Sequence, residues 1–124
     1  MLKKEYTLVF DADPFCFGPI STTLHIVEQL KGRNNLPENC KLILLGTLTT
    51  CQLAEKSGLF DAIYECDTTS PQALRKYKTL IAEADLYISN TNPASIGFAA
   101  ATGTPVIYVD TLFWMWDTLP TDLN

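Results

Sequence analysis

The sequence predicts an α/β protein: a doubly wound, five-stranded parallel sheet with helices on both faces, in three layers. Three observations lead there. Short apolar or β-branched runs recur along the chain, each pair separated by a helix-like stretch. Runs such as Leu42-Ile43-Leu44-Leu45 and Val106-Ile107-Tyr108-Val109 do not alternate polar and apolar, the pattern of strands covered on both faces. Finally, 124 residues at 47% apolar and 19% charged make one compact domain, residues 1–124, with enough apolar content to bury a sizeable core. Strict strand–helix alternation implies right-handed crossovers and hence one open sheet.

The strands are expected at Tyr6 to Phe10, Lys41 to Leu45, Ala62 to Cys66, Leu86 to Ser89 and Val106 to Val109. Four helices fill the gaps. The first opens at Ser21-Thr22-Thr23, after a loop that begins at Asp11 and is long for such a connection. The second runs from about Thr47 to Ser57, where Gly58 ends it. Thr69-Ser70-Pro71-Gln72 starts the third, with a hydroxyl to cap the orphan amides and a proline suited to the first turn. Leu74, Tyr77, Ile81 and Ala84 then share one apolar face of a single helix. Asn92-Pro93 opens the fourth, which Gly103 closes.

Composition also excludes partners. Nine basic against fourteen acidic residues give a formal charge of −5, and no Lys/Arg run offers the phosphate-neutralising surface that nucleic acid requires. The apolar runs fall far short of the roughly 18 to 20 residues of a membrane span. The apolar stretch after Lys3-Lys4 breaks at Asp11, too early for a signal peptide, so the expected address is cytoplasmic. Four cysteines without a C-x-x-C pair, and a single histidine, argue for reduced, mostly buried thiols; no metal and no cofactor is expected.

Ligands of doubly wound folds bind beyond the carboxyl ends of the strands, which directs attention to the loops beginning at Asp11, Gly46, Asp67, Asn90 and Asp110. In the first, Gly18 and Pro19 leading into Ser21 bring amides and hydroxyls to a helix start, where anionic oxygens are favoured, while Phe15 and Phe17 either line a ligand or fold onto the sheet edge. It is not the G-x-G-x-x-G of a dinucleotide site. Asn90, Thr91 and Asn92 precede a helix of small residues and form either a polar cleft wall or a packing cap. His25, about one turn into the first helix, is either a general base or a partly buried ring. After the last strand, Asp110 and the cluster containing Trp114 and Trp116 mark a cleft or an interface.

Two resemblances follow from these residues. Asp11-x-Asp13 after an apolar strand is similar to the first motif of haloacid-dehalogenase-type phosphatases, a likeness that makes Asp13 an acid/base. That family also needs acids after a later strand to hold magnesium, and Ser89-Asn90-Thr91-Asn92 supplies none. More broadly, the element order and the strand, Gly18-Pro19 loop, helix opening resemble the amino-terminal half of a GT-B glycosyltransferase, a family of two facing Rossmann-like domains. Ser21 and Thr22 stand where that family often carries a catalytic histidine. A narrower likeness, to cytosylglucuronate synthases, rests on the block from Val109 through Asp122. Such enzymes transfer glucuronic acid from a uridine nucleotide sugar (a UDP-sugar) to a cytosine base. The resemblance implies an acceptor-side domain with Asp13 and His25 as candidate catalytic residues. Its partners would be a small-molecule acceptor and a donor-binding second domain or chain, without which it does not turn over. A lone chain would form a homodimer through its aromatic carboxyl-terminal block. The alternative is a non-catalytic α/β interaction module.

Overall fold

The computed structural model describes residues 5–12, 18–33 and 36–109. Along the chain these form β1 (Tyr6–Ala12), α1 (Gly18–Gly32), β2 (Cys40–Gly46), α2 (Leu48–Ser57), β3 (Ala62–Glu65), α3 (Pro71–Arg75), α4 (Lys78–Glu83), β4 (Leu86–Asn90), α5 (Pro93–Ala101) and β5 (Val106–Val109). All strand pairs are parallel, in the order β3-β2-β1-β4-β5. The five-stranded, doubly wound class read from the sequence is the observed one.

The non-alternating strands do bury both faces. Val9, Ile43, Leu45 and Tyr87 point to one side, against Leu74 of α3, Ile81 of α4 and Ala99 of α5. Their neighbours Phe10, Leu42, Leu44 and Ile88 point to the other, against Ile20 and Val27 of α1 and Ala54 of α2. Every one of these side chains is at most 8% exposed, so the hydrophobic driving force acts on both sheet faces.

Three boundaries differ from expectation. Asp11 and Asn90 lie inside β1 and β4 rather than in loops, because parallel pairing continues through Asp11↔Leu45, Asp11↔Ser89 and Asn90↔Val109. Helix α1 begins at Gly18, three residues before Ser21. Proline is tolerated there because the amide it lacks has no intrahelical acceptor in a first turn. The single helix expected from Pro71 to Ala84 is two, α3 and α4. Tyr77 leaves helical geometry between them (φ −109°, ψ 18°). Its hydroxyl donates to the Glu65 carbonyl at 3.1 Å and its ring packs on Tyr64 at 5.6 Å. Leu74 and Ile81 stay buried, so the apolar face survives the break. Ser70 caps α3 as expected, its hydroxyl accepting from the Ala73 amide at 3.3 Å.

At the end of β2, a Cβ placed on Gly46 would lie 2.7 Å from the Thr50 methyl and 3.0 Å from its Cβ. Thr50 is itself buried in the first turn of α2, so strand and helix approach too closely for a larger residue. Gly46→Ala is expected to destabilise the fold by about 1–3 kcal/mol through overpacking, read as a lower urea midpoint.

Cys51 and Cys66 are buried and Cys40 is half-buried, all three free thiols; Cys16 lies outside the described residues. Burial and the neighbouring Asp67 and Asp11 carboxylates push the Cys66 thiol up to about 11. Among the described residues no helix is long and apolar enough to cross a membrane.

Candidate functional site at the β1–β4 switch point

The strand order places the topological switch between β1 and β4. From β1 the chain winds through α1 to β2 on one side, and from β4 through α5 to β5 on the other. The crevice beyond the carboxyl ends of two such strands is where open α/β sheets bind ligands. Here those ends carry Asp11 on β1 and Ser89 and Asn90 on β4, with the α5 start and the β3–α3 loop alongside.

Register then sorts the polar residues onto two faces. Asp11 and Ser89 are in-register neighbours, so both point to the α3–α5 side, with Tyr87 one pleat earlier. Asp11 is fully buried. Its carboxylate accepts from the Tyr87 hydroxyl at 2.5 Å and the Ser89 hydroxyl at 2.5 Å, with the Asn92 amide at 3.5 Å. Ser89 lies 3.1 Å from the Ser95 hydroxyl in the first turn of α5. The Asn92 amide also donates to the Thr68 hydroxyl at 2.9 Å and the Thr68 carbonyl at 3.1 Å. One buried carboxylate thus ties β1 to β4, to the start of α5 and to the β3–α3 loop.

No cation stands among the printed partners of this carboxylate. Desolvation dominates and raises its pKa to about 6, against the opposing hydrogen bonds from Ser89, Ser95, Tyr87 and the Asn90 backbone. Burial and the adjoining Asp11 charge push the Tyr87 hydroxyl up as well.

Asn90 points to the α1 side. Its amide donates to the Pro19 carbonyl at 3.0 Å and the Thr23 hydroxyl at 3.1 Å, which fastens the first turn of α1 to the end of β4. Thr23 in turn donates to the Pro19 carbonyl at 2.9 Å. Between the two clusters sits Thr91, a β-branched residue at φ 60°. Such a conformation costs on the order of 1–3 kcal/mol. It is held by the Thr91 amide donating to the Val109 carbonyl at 2.7 Å and the Thr91 hydroxyl donating to Asn90 at 2.9 Å.

Of the residues singled out in the sequence, the structure brings Asp11, Pro19, Asn90, Thr91 and Asn92 together at this edge, with Gly18 at the α1 start. Asp11, Asn90 and Asn92 are at most 1% exposed, so these three side chains face one another rather than the crevice. Ser21 is exposed on α1. His25 is exposed too, on the face of α1 opposite Thr23 and Val27, so it is neither a partly buried ring nor a member of this cluster. Asp13, Phe15, Phe17, Asp110, Trp114 and Trp116 lie outside the described residues. Sequence reasoning missed Tyr87, Ser95, Thr68 and Thr23. Only the run of polar residues ending the buried strand at Ser89 and Asn90 hinted at them. Among the described residues no three His, Cys, Asp or Glu side chains group as metal ligands.

No protein-family model matches the sequence, and no curated protein matches it either. Solved structures do share its architecture. Apo histidine-tagged saccharopine dehydrogenase (L-Glu forming) from Saccharomyces cerevisiae aligns over 83% of this chain at 21% identity, with a TM-score of 0.52. E. coli ADP-heptose LPS heptosyltransferase II aligns over 86% at 17% identity, also with a TM-score of 0.52. The fold is Rossmann-like α/β. This chain spans 21% of the length of the dehydrogenase and 33% of that of the heptosyltransferase, and at these identities the likeness is one of fold.

Proposed function

We propose that this chain is the acceptor-side, amino-terminal domain of a cytoplasmic, nucleotide-sugar-dependent glycosyltransferase of GT-B type. It becomes complete with a donor-binding second domain or chain. The observation that carries the reading is the β1–β4 switch point, whose carboxyl edge is held rigid by two polar clusters in a fold shared with a heptosyltransferase. In this reading the acceptor lies over that edge. Ser21 and Thr91 flank it, and Asp13, two residues past the buried Asp11, is the base that takes the acceptor proton. Asp11, Asn90 and Asn92 do not touch substrate; they fix the three loops that do. The donor arrives from the facing domain. In the narrowest form, which rests on the Val109 to Asp122 block, the donor is a UDP-sugar.

A lone chain is expected to give no binding heat at micromolar UDP-glucuronic acid in calorimetry, and transfer is expected only when the donor-binding partner is supplied. Micromolar affinity in the lone chain, or no transfer from the assembled pair, overturns the proposal. One observation favours a second reading, a non-catalytic interaction module: the buried polar side chains at the edge are satisfied by one another. Docking of a partner without any turnover by the pair is its signature.

A further inference from the structure

The outer strand β5 is covered unequally on its two faces. On one, Val106 packs beside Tyr87 in the core that includes α5. On the other, Ile107 stands in register with Ile88, on the face that α1 and α2 cover farther in. Among the described residues neither helix makes more than marginal contact with β5, and Ile107 is 48% exposed beside the half-buried Val109 and Leu86. A bare aliphatic strip on a parallel sheet, a class normally covered on both faces, calls for an occupant.

We propose that residues 112–116 of the same chain, Leu-Phe-Trp-Met-Trp, seat on this strip, an inference independent of the glycosyltransferase reading. The block is five apolar residues long and carries no charge between Asp110 and Asp117. Three residues separate Val109 from Phe113, a reach of about 10 Å if extended. That is about twice the spacing of neighbouring strands, enough for the chain to reverse and lay the rings back over Ile107. A tether this short gives a local concentration in the millimolar range, so the chain's own block outcompetes a second copy at micromolar protein. The dimer expected from composition alone is then not required.

The chain's two tryptophans are Trp114 and Trp116, so tryptophan fluorescence reads this block and nothing else. In the full chain, emission is expected to be blue-shifted relative to the urea-unfolded state at every protein concentration, with sedimentation showing a monomer. Ile107→Ser should red-shift the emission and raise acrylamide quenching several-fold without changing far-UV circular dichroism. Leu48→Ser, at an apolar position 60% exposed on α2, should change neither. Should Ile107→Ser lose the fold, Ile107→Thr keeps the branched shape and serves in its place. Emission already at the unfolded position, emission unmoved by substitution at Ile107, or a blue shift that appears only with dimer formation each overturns the proposal.

Discussion

An Asp11→Asn variant is expected to be more stable than the parent at pH 7.5 by about 3 kcal/mol and equally stable at pH 4. The folded carboxyl titrates at about 6 against an ordinary value of 3.8, so the folded state binds this proton more tightly than the unfolded chain. Its contribution is fully present below pH 3.8 and is lost as pH rises through 6. The amide keeps an acceptor and a donor for Tyr87 and Ser89 and has no proton to lose. At a typical dependence of about 1–3 kcal/mol per molar urea, the midpoints should coincide at pH 4 and separate by one molar or more at pH 7.5. Taking the difference between parent and variant cancels the titration of the other carboxylates. A variant less stable than the parent at pH 7.5 contradicts the burial of an unpaired anion. A buried charge that lowers stability at neutral pH, placed at the ligand edge, is the pattern expected where function is kept at the expense of stability.

Phe10→Ala is expected to destabilise the protein by about 3–5 kcal/mol. Phe10 is fully buried in the central strand, in the same core as Ile20 and Val27 of α1, and meets Phe60 edge to face at 5.8 Å. A large cavity would open where β1 has no room to collapse, being paired on both sides. Leu48→Ala, on the exposed face of α2, is the control and should stay within about 0.5 kcal/mol. A loss under about 1 kcal/mol at Phe10 would show that the α1 layer does not pack as described. Urea unfolding of the two variants beside the parent measures both.

Much of the fold was legible because each strand declares burial on both faces locally. Leu42-Ile43-Leu44-Leu45 has no polar residue to place toward solvent, and Ser70-Pro71 announces a helix start without reference to anything distant. The break at Tyr77 was not legible, because it depends on Glu65 and Tyr64 across a crossover, and periodicity through Leu74 and Ile81 conceals it. The same distinction governs the site. Asp11 and the Asn90–Asn92 run stood out as polar residues ending apolar strands, and the switch-point rule sent attention to the correct edge. That Asp11 is turned inward, however, depends on Tyr87 and Ser89, more than seventy residues away in sequence, joined to it only by the parallel register of β1 and β4. His25 shows the converse. A lone histidine invites a catalytic role, but the helix that carries it turns Thr23 and Val27 to the core and His25 outward.

The account rests on a switch point organised around one buried carboxylate, and carbon-13 NMR of the Asp11 carboxyl group tests this most directly. Its titration should be centred at about 6 in the folded chain. Tyr87→Phe removes a donor that stabilises the ionised form and should move the midpoint higher still. A midpoint at or below the ordinary 3.8, unmoved by that substitution, would mean that Asp11 meets water or a cation rather than Tyr87 and Ser89. The three loops would then not be tied through it.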